Sequence, residues 1–491
     1  MSGKRGSSWW DDGARRVLSR EACAEIAERV KRFASGEGKT GVTISSWWNG
    51  ELRWARNQVT LASDRRSVMV AISRSGIGSA LVSGQAVSNQ LDDESLQAAV
   101  RAAESAAHLM NPDYRTMVTP ERPDYALPET RIWSDATHEV PATARVDAAR
   151  AMIEPAAREG MLSAGYLEVR AQSIARLGVR PPASNVMRPP RTKELYAAGT
   201  QAQCSTTVRN PAGNASGWAG GSSYDWSALS PVALAARALE KCRSSVDPVA
   251  IEPGRYTVIL EPQAVHDLVY SMFERSSRSS SENGPNDPYH LGRDEALGLS
   301  RSKLGLQLID RRLSVSHDPT DPLQGVFPFE HQFEDPPRAT TIFENGVLAA
   351  LPFRGDYGVE MLNEARPRPF MSSYHMSGGD SSVEEMIRST RRGLLVTRFS
   401  GLRVLDPTSL LSSGHTRDGL WLIENGRVSR PVRNFRFVES PLVALNNVEL
   451  IGPAVPVFHP VQDPSRVSVH SAIVPALKVR DFSFTSSVDA I

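Results

Sequence analysis

The sequence predicts an α+β fold in two domains. Three observations carry that prediction. Apolar residues recur at helical spacing in only a few segments, and short extended runs joined by Gly or Asn-Gly turns fill much of the rest. Near the middle, Asp247-Pro248 and Glu252-Pro253-Gly254 interrupt both patterns. The length of 491 residues suits two domains, each with its own core. The expected division is a loose N-terminus over 1–17, a domain of helices and antiparallel hairpins over 18–250, and a mostly antiparallel β domain over 251–491. The last is barrel- or sandwich-like with a few helices.

The first helix begins after Ser19, with Cys23, Ile26, Val30 and Phe33 on one face and Gly36 at its end. Cys23 on that stripe reads as a core thiol. Val42–Trp48 and Glu51–Trp54 flank Asn49-Gly50, which predicts a hairpin turn there. Ser67–Ser73 and Ser79–Ser83 around Gly76 and Gly78 predict a second hairpin. A helix from Asp93 places Leu96, Val100, Ala103, Ala107 and Met110 together and stops at Asn111-Pro112. The Pro-rich stretch 112–142 reads as a linker. A helix near Thr143 and a strand at Tyr166–Ala171 follow, and then an exposed loop with two proline pairs. Cys204–Arg209 and Ala215–Ala219 form another hairpin. Ser230-Pro231 opens a helix with Val232, Ala235, Leu239 and Cys242 as its stripe.

In the second half Tyr256–Leu260 is a strand, and Pro262 opens a helix with Val265, Leu268, Val269, Met272 and Phe273 on one face. Asn345-Gly346 and Asn425-Gly426 each sit between extended runs and predict type I′ turns. Ser381 and Ser382 carry overlapping capping boxes, and Leu394–Phe399 is a strand.

Composition excludes several function classes. With 40% hydrophobic and 23% charged residues, the chain is neither disordered nor fibrous. Its 56 Lys+Arg against 55 Asp+Glu offer no broad basic face for nucleic acid. Cys23, Cys204 and Cys242 make no disulfide framework. Residues 1–16 have no signal-peptide core, and no apolar run is long enough to span a bilayer, so a cytoplasmic protein without a membrane segment is expected.

The residues alone show no catalytic constellation. The ten histidines include no pair at H-x-x-x-H spacing, and G-x-S-x-G and Walker patterns are absent. Arg427–Phe437, with Arg430, Arg433 and Arg436 among aromatics, reads as one strand with a cationic face.

Several segments, in order, carry a family resemblance. They are Pro253–Pro262, Phe343-Glu344-Asn345-Gly346, Gly393–Phe399, Leu422–Phe437 continuing to Leu445–Glu449, and Pro475–Val479, with looser support from Trp54–Asn57 and Asp92–Leu96. In these the chain resembles the TldD/PmbA family over nearly its whole length. The resemblance implies a choice between two kinds of member. TldD-type chains carry H-E-x-x-x-H in the helix after the first strand of the second domain and a late cysteine ligand, and they are zinc peptidases. The corresponding region here runs from Tyr270 to Glu282 without either histidine, and no cysteine follows Cys242. A catalytic zinc needs three protein ligands and an open position.

The resemblance therefore implies the PmbA (TldE) type. This is a non-catalytic subunit without metal or other cofactor, whose TldD-type partner supplies zinc and which acts with it on unfolded or modified peptides. Glu274, Arg278 and Glu282 beside the degenerate motif are candidate groove-lining residues, and Arg430, Arg433 and Arg436 are candidate peptide contacts. Two alternatives stand beside this reading. One is an independent hydrolase of a peptide-like small molecule, with His266, His375 or His415 as acid or base. The other is a peptide-binding homodimer built through the β-rich half.

Overall fold

The structure, a computed structural model, describes residues 16–76, 83–109, 117–118, 132–178, 186–187, 194–276, 289–293, 300–329, 339–350, 373–459 and 471–488. It has the expected α+β class, built on two large sheets.

The first half contains helix α1 (Arg20–Phe33), strands β1 (Lys39–Ala55), β2 (Gln58–Ser75) and β3 (Ser83–Ser88), and α2 (Asp93–Leu109). It continues with α3 (Asp135–His138), α4 (Ala142–Arg158), β4 (Leu162–Gly178), β5 (Leu195–Arg209), β6 (Ser216–Ser223) and α5 (Pro231–Ser244). The six strands form an antiparallel sheet in the order β3-β2-β1-β4-β5-β6. Strand alternation sorts its residues. Val42, Ile44, Trp48, Leu167, Val169, Ala202 and Cys204 face the helices and form the apolar cores. Ser19 caps α1 by accepting the Ala22 N–H, and Ser230 caps α5 by accepting the Ala233 N–H. The three thiols are buried, and burial pushes Cys23 and Cys204 up to about 12 and Cys242 to about 11. They pack as small apolar groups.

Four expectations need correction. Asn49-Gly50 is not a turn but the middle of β1. The turn is Arg56-Asn57, where both residues have positive φ (52° and 65°) and Ala55 pairs with Gln58. Asn57 holds it in place: its Oδ1 accepts the Ser163 N–H at 2.6 Å and its Nδ2 donates to the Met161 carbonyl at 2.8 Å. Gly50 is small because the buried Arg145 guanidinium of α4 occupies the space a Cβ would need, on its way to Asp64 at 2.5 Å. In α5 the stripe includes Leu234 and Ala238, while Val232 is 65% exposed. The end of the expected linker 112–142 is ordered structure, with α3 capped by Ser134. The expected strand over 427–437 is two strands, described next.

The second half contains β7 (Gly254–Leu260), α6 (Pro262–Ser276), β8 (Val315–His317), β9 (Thr340–Glu344), β10 (Val347–Leu348), β11 (Ser373–Met376) and α7 (Val383–Arg388). After these come β12 (Arg392–Asp406), β13 (Leu411–Glu424), β14 (Arg427–Pro431), β15 (Phe435–Glu439), α8 (Pro441–Asn446), β16 (Val448–Val457) and β17 (Ser471–Ser487). The pairings β7-β12-β13-β15-β17 return from β17 to β7 and close a five-stranded barrel. Closure removes the edges of those five strands. Two contacts in the larger sheet are parallel, β7 with β12 and β11 with β17. Both Asn-Gly turns appear as expected, with φ of 48° and 80° at Asn345-Gly346 and 50° and 77° at Asn425-Gly426. Ser382 and Glu385 complete the capping box of α7. The apolar stripe of α6 is buried against the barrel, and each such side chain contributes roughly 1.5–3 kcal/mol of burial.

Candidate functional site

Helix α6 buries its apolar stripe and leaves His266 and Tyr270, one turn apart, on another face, with ring centroids 5.7 Å apart. Three distant segments meet there. His459, just past β16, lies 4.7 Å from His266 and 5.2 Å from Tyr270 between ring centroids. The Tyr374 hydroxyl, from β11, shares a 2.6 Å hydrogen bond with His266 Nδ1, and Phe273 packs on the Tyr374 ring at 4.7 Å. Gln263 clamps the approach of His459, because its Oε1 accepts the Phe458 N–H and its Nε2 donates to the Phe458 carbonyl and to Asp267. The His459 N–H donates to Ser222 of β6 at 3.2 Å, so the clamp ties the barrel to the first sheet.

Burial sets the protonation states. It pushes His266 down to about 3, so the imidazole is neutral and a poor base near pH 7. Tyr374 is raised well above the ordinary phenol range by burial, then by Tyr270 and Asp267. Burial raises Asp267 to about 6 against the opposing pull of Arg398, although the carboxylate accepts the Phe399 N–H at 2.9 Å.

These shifts predict opposed pH dependences. With Asp267 raised, the folded chain holds more protons than the unfolded chain between pH 3.8 and about 6, and stability falls as pH rises through that window. With His266 lowered, the folded chain holds fewer between about 3 and 6.5, and stability rises with pH there. Asp267→Asn is therefore expected to gain stability relative to the parent from pH 4 to 7, by about 3 kcal/mol at 1.36 kcal/mol per pKa unit. Urea unfolding at several pH values checks this, and parallel profiles for the two proteins would refute it.

The second wall is the face of the first sheet turned away from its helices. Register places Asn49, Arg170 and Gln201 in one row, and Glu51, Glu168 and Gln203 in the next. At one end this face is covered by Phe327 and Phe329 with Ile132, Ile174 and Ala197. At the other end Phe458 packs edge-on against Tyr166 and Trp218. Between them lies a buried polar strip. Glu168 accepts from Asn49 Nδ2 at 2.7 Å, Arg170 Nη2 at 2.6 Å and Gln203 Nε2. Arg170 is only 7% exposed, and its Nε and Nη1 have no hydrogen-bond partner among the described residues. The Asn49 Oδ1 and Gln203 Oε1 acceptors are likewise unspent. Each buried group left without a partner costs about 1–3 kcal/mol.

Zinc, which the family resemblance implies for its catalytic members, does not fit the donors found here. Among the described residues no group of three or more His, Cys, Asp or Glu side chains could hold a metal ion. The cluster offers two imidazoles, one already hydrogen-bonded to a phenol, where a catalytic zinc needs three protein ligands.

The sequence-predicted residues are dispersed. Glu274 lies near the end of α6, and Arg278 and Glu282 lie outside the described residues. The run 427–437 breaks at Val432, whose buried side chain separates β14 from β15. Arg430 is exposed and pairs with Glu424 at 3.5 Å. Arg433 is exposed and, with Asn214, Ser245, Asp247 and Asn434, lines a cavity of about 430 Å³. Arg436 is exposed and donates from Nε to Ser413 at 3.1 Å. Arg430 stands opposite Leu422 and Arg436 opposite His415 on β13, about 23 Å apart along the strand, so they form no single cluster. Of the histidines considered, only His266 joins the site. His375 and His415 are half-buried on β11 and β13.

Sequence reading missed His459, Tyr374 and the Glu168–Arg170–Gln203 strip. The alternation Glu168-Val169-Arg170-Ala171-Gln172 was visible, but a polar strand face ordinarily means solvent.

The family model for the PmbA/TldA metallopeptidase C-terminal domain matches residues 253–486. The metalloprotease TldD homolog of Buchnera aphidicola is 30% identical over 86 residues, which covers 18% of this chain and 17% of that protein. Among solved structures, TldE from Thermococcus kodakarensis superposes with a TM-score of 0.69 at 16% identity, covering 94% of this chain and 99% of that one. A proposed modulator of a DNA gyrase from Thermotoga maritima gives 0.70 at 17% identity, covering 94% and 100%. A similarly described protein from Bacteroides thetaiotaomicron gives 0.71 at 18% identity, covering 96% and 100%. At these identities the structural likeness is one of fold.

Proposed function

We propose, from the premise that this chain belongs to the TldD/PmbA family, that it is the zinc-free subunit of a TldD/TldE-like metallopeptidase. In this reading a TldD-type partner supplies the zinc-activated water, and this chain completes the chamber that receives extended, unfolded or modified peptide. One observation carries the reading. Where the catalytic type has H-E-x-x-x-H, the region from Tyr270 to Glu282, which begins in α6, has no histidine. The aromatic–imidazole cluster supports it, since a His266 held near pKa 3 is ill suited to general-base work at neutral pH. That same property weighs against an independent hydrolase with His266 as its base. The three unpaired thiols suit a reducing compartment, and the reading places the chain in the cytoplasm.

The purified chain is expected to carry well under one zinc per molecule and to leave unfolded peptides intact. Adding a TldD-type chain with H-E-x-x-x-H is expected to produce hydrolysis and a heteromeric mass. Metal analysis, a peptide-cleavage assay and light scattering read these outcomes. Stoichiometric zinc with activity in the chain alone would overturn the proposal, as would a homodimer indifferent to the partner.

A further inference from the structure

We propose that Arg170 is a binding site for a peptide carboxylate, with Asn49 and Gln203 receiving the neighbouring peptide N–H groups. The inference rests on the preceding reading only for calling the ligand a peptide.

Glu168 fixes the orientation of its neighbours. A carboxylate is an acceptor only, so the three groups that reach it must present donors. Asn49 and Gln203 therefore turn their NH₂ groups to Glu168, and this fixes their carbonyl oxygens as the unspent ends. Arg170 spends one Nη2 hydrogen bond on the same carboxylate and keeps donors on Nε and Nη1. The strip thus offers cationic donors beside neutral amide acceptors, all on one sheet face and buried. A solvated surface arginine satisfies its donors with water, but Arg170 is over nine-tenths buried. A carboxylate completes a guanidinium through charge-assisted hydrogen bonds, and a peptide N–H completes an amide oxygen. A peptide supplies both at once. A structural ion pair with Glu168 alone would leave Nε, Nη1 and both amide oxygens unused.

Two sources could supply the carboxylate: a free C-terminus or an Asp or Glu side chain. Calorimetric titration of the full-length chain with three probes separates them. The probes are acetyl-trialanine with a free C-terminus, its C-terminal amide, and acetyl-Ala-Glu-Ala amide. At least one carboxylate probe is expected to bind tenfold or more tightly than the neutral amide, and which one does so names the source. Arg170→Gln is expected to reduce that probe to the level of the amide. Arg170→Lys, which keeps the buried charge, is expected to lose most of the contrast and serves if the glutamine variant does not fold. Equal binding of all three probes, no binding of any, or a contrast surviving at Arg170→Lys would overturn the inference. Zinc in the purified chain would sink the subunit reading and leave this result standing. A missing carboxylate preference would do the reverse.

Discussion

Replacing Glu168 with alanine is expected to cost about 3–5 kcal/mol of unfolding free energy, the usual penalty for removing one partner of a buried ion pair. The expectation comes from what Glu168 holds. It is the shared acceptor for Arg170, Asn49 and Gln203, and both charged side chains of the pair are 8% exposed. Its loss leaves a guanidinium buried with no counter-charge beside it. Two amide groups lose their acceptor as well. A double change, Glu168→Leu with Arg170→Met, is expected to recover much of the loss, since apolar pairs of similar volume often replace buried ion pairs at little cost. Denaturant unfolding of the parent and both variants measures this. A single variant within about 1 kcal/mol of the parent would show that water reaches the strip freely.

Phe437→Ala is expected to cost a similar amount, about 3–5 kcal/mol, by opening a cavity at the centre of the barrel. Phe437 is fully buried, with Phe399 and Phe482 at centroid distances of 4.6 and 5.5 Å. The fit is close enough that a Cβ at Gly414 would come within 2.7 Å of its ring. Gly414 is therefore small for packing reasons, and the surrounding strands, closed into a barrel, have little freedom to collapse into the void. Val428→Ala, on an exposed position of β14, serves as the control and is expected to change stability by less than about 0.5 kcal/mol. Equal effects from the two changes would mean that the aromatic cluster is not the core of this half.

Much of the fold was legible because helices and tight turns are written locally. The α6 stripe, the α7 capping box and both second-half Asn-Gly turns need only neighbours within a few residues, and each was found where expected. The failures occur where a distant side chain decides. Asn49-Gly50 has the letters of a turn, but Asn49 answers to Glu168 and Gly50 to Arg145, both more than 90 residues away. The turn went instead to Arg56-Asn57, because Asn57 finds two backbone partners beyond it. The site was less legible still. Its residues come from α6, β11, β1, β4, β5 and the segment just past β16, and no spacing rule links segments that meet only after two sheets have formed. A buried polar strip also contradicts the rule that polar means exposed, and that contradiction is itself the mark of a site.

Strand β17 sets a timing for the whole second half. It pairs with β7, β15, β16 and β11, so the register of the barrel depends on residues 471–487. Its partner β7 is made more than 200 residues earlier. During synthesis β7 and β15 must wait, each with one unpaired edge, while the first sheet, whose last strand ends at Ser223, can already assemble. Long-range closure of this kind is slow and exposes strands to wrong partners. The barrel half is thus the part of the chain most in need of protection on the ribosome.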